Sequence, residues 1–101
     1  MCNVTFGEPW PGPYTVVATG AQTWGIGFGI FTNDTKVLTM SDWTTTTWKA
    51  HVYSRTPLTT FAYRGSLDPT TPSRTFKWPG ESLWQVCVKT VEPGNVTMLW
   101  S

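Results

Sequence analysis

The side chains able to do chemistry are few and scattered. His51 is the only histidine, so no pair of imidazoles can hold a metal, and no Cys/His cluster exists with zinc-site spacing. Strand alternation turns His51 away from Trp48, Ala50 and Val52, as a solvated surface histidine. Six carboxylates, Glu8, Asp34, Asp42, Asp68, Glu81 and Glu92, are spread singly. Glycoside hydrolysis needs two that face each other, and the spacing singles out no pair. Gly25-Ile26-Gly27-Phe28-Gly29 has the look of a phosphate loop, but no helix follows to supply a dipole and free N–H groups. A Cys–His nucleophile needs a free thiol. The sequence therefore predicts no catalytic residue, no metal and no cofactor. It predicts a binding protein and not an enzyme.

Tryptophan is the expected binding tool. Seven tryptophans in 101 residues exceed the needs of one small core. Trp48, Trp84 and Trp100 fit inward positions, while Trp10, Trp24, Trp43 and Trp78 fall at strand ends or in loops. Exposed aromatics serve both protein hot spots and stacking on sugar rings, and loop tryptophans also cap the open ends of a sandwich. In Trp24–Phe31 (WGIGFGIF), Gly25, Gly27 and Gly29 alternate with Ile26, Phe28 and Ile30. One face is apolar and the other bare, which marks close approach of a ring or backbone. An internal aromatic folded over the glycines meets that need, and so does a docked ligand. The candidate binding set is Trp24, Trp43 and Trp48 with Gly25, Gly27 and Gly29.

The two cysteines, Cys2 and Cys87, lie near the chain ends. Three N-glycosylation sequons accompany them: Asn3-Val4-Thr5, Asn33-Asp34-Thr35 and Asn95-Val96-Thr97. Together these features predict a secreted or lumenal domain with a Cys2–Cys87 disulfide, and glycan acceptors at Asn3, Asn33 and Asn95. The expectation is that Met1 is an added start, ahead of a mature ectodomain trimmed of its signal.

The elements that must position these residues are strands. Thr occurs 19 times and aromatics make up 15% of the chain, a composition suited to pleated, half-buried surfaces. No window carries a helical apolar stripe longer than two turns. Strands are expected at residues 2–6, 14–19, 24–31, 36–40, 47–54, 59–63, 74–78, 83–91 and 95–100. Gly65 to Ser73 reads as a loop, and Pro93-Gly94 as a type II turn between the last two strands. One domain spanning 1–101, an all-β antiparallel sandwich of about eight or nine short strands, follows from the roughly ten-residue spacing. Net charge is +1, with 13% charged residues and no basic run. That excludes a nucleic-acid partner, whose phosphates demand clustered Lys and Arg. No apolar stretch approaches a membrane span, so no direct membrane insertion by this segment is expected.

Cys2-Asn3-Val4-Thr5-Phe6 resembles the start of the lumenal domain of adenovirus early-region-three membrane glycoproteins. Arg74-Thr75-Phe76-Lys77, followed by Trp84-Gln85-Val86-Cys87, is similar to a later block of that family, and Trp100 fits a tryptophan close to its C-terminus. The resemblance implies an immunoglobulin-like sandwich, related to domains of cytomegalovirus glycoproteins. It implies the extracellular or endoplasmic-reticulum lumenal part of a type I viral membrane glycoprotein in immune evasion. Its partner would be a host immune surface protein, MHC class I or a leukocyte receptor. Surplus Trp, abundant Thr and Asn, and low charge equally fit a secreted carbohydrate-binding module (a lectin), with a glycan as partner.

Overall fold

A computed structural model describes residues 13–18, 28–31 and 35–101. Eight strands are present: β1 (Tyr14–Ala18), β2 (Phe28–Phe31), β3 (Lys36–Ser41), β4 (Lys49–Arg55), β5 (Ala62–Leu67), β6 (Ser73–Phe76), β7 (Glu81–Lys89) and β8 (Gly94–Trp100). The expected strand at 2–6, with Cys2 and Asn3, lies outside the described residues, as do Asn33, Trp24, Gly25 and Gly27.

Local alternation accounts for the strands. Leu38 and Met40 on β3, Ala50 and Val52 on β4, and Val96, Met98 and Trp100 on β8 point inward and are buried. Thr39, His51, Thr97 and the exposed Leu99 separate them on the opposite face, the period-two signature of a half-buried strand. On β7 both faces are shielded. Trp84, Val86 and Val88 face the core, and Gln85 and Cys87, between them, are also buried.

The strands form two antiparallel sheets ordered β1-β8-β3-β6 and β2-β7-β4-β5. The all-β antiparallel sandwich expected from the sequence is what forms. The order has a simple origin. β1 pairs β8, β2 pairs β7, β3 pairs β6 and β4 pairs β5. These are the pairs of one long antiparallel hairpin folded at β4–β5. Rolling that hairpin brings β3 beside β8 and β4 beside β7. This is jelly-roll connectivity. In an immunoglobulin-like order the last two strands are neighbours in one sheet. Here the Glu92-Pro93-Gly94 corner carries the chain from one sheet to the other.

A run of threonines holds that corner. Thr47 Oγ1 accepts hydrogen bonds from the backbone N–H of Val91 (3.2 Å) and Glu92 (3.0 Å). Thr44 Oγ1 accepts from Asn95 N–H at 2.8 Å, and Thr44 N–H returns a bond to the Asn95 carbonyl at 2.9 Å. Gly94 is required beneath them, because a Cβ there would stand 2.4 Å from Thr45 Cγ2.

The core is an aromatic block. Phe76, Trp84 and Trp100 meet edge to face, with centroids 5.5 to 5.8 Å apart. Trp78 closes one side at 6.0 Å from Phe76 and 6.3 Å from Trp84. Tilted and T-shaped contacts suit the ring quadrupoles.

Candidate binding face

Of the tryptophans proposed from the sequence, Trp24 lies outside the described residues, and Trp43 and Trp48 turn toward the core. Trp48 is 1% exposed and presents nothing to a partner. Trp43 is half-buried and leans on it, with centroids 5.3 Å apart. On one continuous strand their five-residue separation would put them on opposite faces. The chain bends at Ser41–Thr47 instead, where Asp42 takes a positive φ of 50°, and both rings turn inward. Gly29 lies on β2, and its two glycine companions lie outside the described residues. Asn95 is on β8, opposite Val17, on the outward face of the β1-β8-β3-β6 sheet. Among the described residues no group of three His, Cys, Asp or Glu could hold a metal.

Among the described residues the exposed aromatic is on the other sheet: Tyr63, with the half-buried Tyr53 beside it. β4 sends Lys49, His51, Tyr53 and Arg55 to the face turned away from the core, and β5 adds Tyr63. Tyr63 is 55% exposed. Its ring stands 5.8 Å from Tyr53 at 68° and 6.0 Å from His51. Lys89 on β7 lies directly opposite Lys49, and Cys87 opposite His51. Partial burial, then Lys49 and Lys89, lower the His51 pKa from 6.5, so the ring is neutral at physiological pH.

At the far end of β4 the turn to β5 is rigid. Arg55 Nη1 donates to the carbonyls of Thr56 (3.4 Å), Pro57 (3.5 Å) and Thr59 (3.4 Å). Its guanidinium also lies over the Phe61 ring at 5.1 Å. Thr59 Oγ1 accepts from Thr56 N–H at 3.0 Å. Leu58 stands on this turn 96% exposed.

One β-bulge makes this face. Val52 pairs Gly65 and Tyr53 pairs Tyr63, so Arg64 is an extra residue with no partner on β4. Uninterrupted alternation from Leu67 and Gly65 would turn Tyr63 inward and Arg64 outward. The bulge reverses both, as bulges re-aim side chains. Arg64 swings to the interior edge, donates from Nε to Ser54 Oγ at 2.9 Å and pairs with Glu81. It also lies over the Trp78 ring at 5.1 Å. Gly65 has φ of +156°, and the Arg74 guanidinium covers the place where its Cβ would be. Arg74 Nη1 donates to the Ser66 carbonyl at 3.1 Å. The expected Gly65–Ser73 loop thus shrinks to the turn at Asp68, whose Oδ1 accepts from Thr70 and Thr71 N–H, both at 2.9 Å.

Sequence inspection missed this face because it followed tryptophan and took Gly65 for a loop signal. An isolated glycine inside Ala62–Leu67 also marks a bulge, and it was the available clue. The Arg64–Glu81 pair yields a direct prediction. Its side chains are 22% and 9% exposed. Arg64→Ala strands the Glu81 carboxylate and costs about 2–4 kcal/mol, near the low end for buried pairs because Arg64 keeps some solvent. Replacing both residues by Met restores most of that loss. Urea unfolding of the two variants checks this, and equal losses in both would refute it.

Comparison of the chain with protein-family models, with curated proteins and with solved structures finds no match.

Proposed function

We propose that this chain is the extracellular or lumenal binding domain of a viral membrane glycoprotein, and that it engages a host immune surface protein. One observation carries the proposal. The outward face of β4, β5 and β7 offers Tyr53, Tyr63, His51, Lys49, Lys89 and Arg55 on paired strands. Tyr and Arg are enriched where proteins bind proteins, and paired strands hold them with little ordering cost on binding. The two sequence blocks that resemble adenovirus early-region-three glycoproteins point the same way, as do the sequons and the proposed Cys2–Cys87 bond. Cys87 is buried on β7, and no free cysteine is present among the described residues. The jelly-roll order takes the place of the immunoglobulin-like one, so the proposal rests on the face and not on that fold.

A carbohydrate-binding module is the second reading. Lectin domains share the jelly-roll architecture, and the exposed Tyr63 ring offers a surface on which a sugar can stack. Binding of an Fc-fused copy to leukocytes separates the two. Under the first reading trypsin treatment of the cells abolishes binding and glycosidase treatment leaves it intact. The reverse pattern makes the chain a lectin. Absence of binding to untreated cells removes the first reading.

A further inference from the structure

We infer that the outward face of β4 and β5, with Lys89 at the end of β7, docks an acidic protein surface, with Lys49, Lys89 and His51 taking its carboxylates and Tyr63 the adjoining apolar contact. This deepens the proposed function and rests on it for the identity of the partner as a protein.

Lys49 and Lys89 are directly opposite on neighbouring strands. Like charges in that position oppose sheet pairing, and no ion pair of either lysine is found among the described residues. His51 lies one step inward along the same face, between Tyr63 and the two ammonium groups that depress its pKa. Among the described residues, the charged and titratable neighbours of His51 are Lys49 and Tyr53 on β4, Tyr63 on β5 and Lys89 on β7, with Cys87 directly opposite. None is a carboxylate. Asp68 lies just past β5, where Thr70, and to a lesser degree Lys49, hold its carboxyl below the usual range. Asp42 and Glu92 sit on connections outside this sheet. The face is therefore basic although the chain carries a net charge of only +1.

The opposite sheet shows the contrast. Its outward face pairs hydroxyls across strands, Thr15 with Thr97 at 3.0 Å and Thr39 with Ser73 at 3.2 Å. β8 places no charged side chain there, so this face has little to steer an acidic partner with. Length argues for a protein on the basic face. β4 extends it about 20 Å, from Lys49 to Arg55, and Leu58 continues it at the turn. That is the scale of a protein interface and exceeds a single sugar ring. Charge complementarity speeds association and fixes orientation, while the ring supplies desolvated area.

The test is amide chemical-shift mapping of the domain titrated with a short polyglutamate peptide, for wild type and for the Lys49→Glu/Lys89→Glu double variant. Leukocyte binding of the Fc-fused forms is measured in parallel. Shifts are expected on outward positions of β4 and β5 and at Lys89, fading with added salt and absent from the double variant. The double variant should lose leukocyte binding roughly tenfold or more. Lowering the pH from about 7.5 to about 5.5 should strengthen the peptide complex, and His51→Gln should remove that increment. Shifts centred on Lys36, Arg74 or Lys77, or unchanged leukocyte binding by a folded double variant, overturn the inference. If leukocytes are not bound at all, the proposed function falls, and the peptide map still decides whether this face takes carboxylates.

Discussion

Trp84→Ala is expected to remove about 3–5 kcal/mol of stability, most of what a domain of this size possesses. Trp84 is 1% exposed and lies where the elements converge. Its ring meets Phe76 of β6 at 5.7 Å, Trp100 of β8 at 5.5 Å, and Trp78 at 6.3 Å. Its indole N–H donates to the Glu81 carbonyl at 3.0 Å, which fixes the first turn of β7 beside the Arg64 pair. Truncation opens a cavity walled by other rings, and rings held edge to face cannot slide in to fill it. Trp84→Phe keeps much of the apolar contact and loses only the hydrogen bond and part of the volume. Its cost should be about half as large. Urea unfolding gives both values. A lower midpoint with unchanged slope is the expected form, and a loss below about 1 kcal/mol for Trp84→Ala would show that the block does not anchor the sandwich.

Why was that block legible in the sequence when the binding face was not? Inward positions follow from period-two alternation, which is local. Val96, Met98 and Trp100 separated by Thr97 and Leu99 admit one pairing of faces, and β8 forms as expected. Strand order is not local. Nothing in Glu92-Pro93-Gly94 tells whether the turn closes a hairpin or crosses between sheets. Thr44 and Thr47 decide it from some fifty residues away, by capturing the N–H groups of Val91, Glu92 and Asn95. The same limit hid Tyr63. Its outward position depends on skipping Arg64, and that skip is stabilised by Ser54 and Glu81, which lie ten and seventeen residues away. Tryptophan misled for a different reason. A ring that large gains most when buried, so the five described rings, Trp43, Trp48, Trp78, Trp84 and Trp100, went to the interior or its margin. Smaller amphipathic tyrosines remained for the surface.

The Cys2–Cys87 bond proposed here gives the other large expected effect. It would close a loop of about 86 residues, worth about 4–5 kcal/mol in the chain-entropy account. Cys87 stands on β7 opposite His51 and is buried on the outward side of the sheet. The bond would tie the start of the chain against that outward side, next to the basic groups, so its loss should disturb the face as well as the overall stability. Non-additivity distinguishes a bond from two independent thiols. If the cysteines are joined, Cys2→Ser, Cys87→Ser and the double variant each lose nearly the same stability, because the first substitution already opens the loop. Reductant should lower wild-type stability to that common level and leave the variants unchanged. Two single losses that sum to the double, or wild-type protein labelled by maleimide before unfolding, would rule the bond out. The oxidising compartment on which the proposed function depends would then lose its main chemical support.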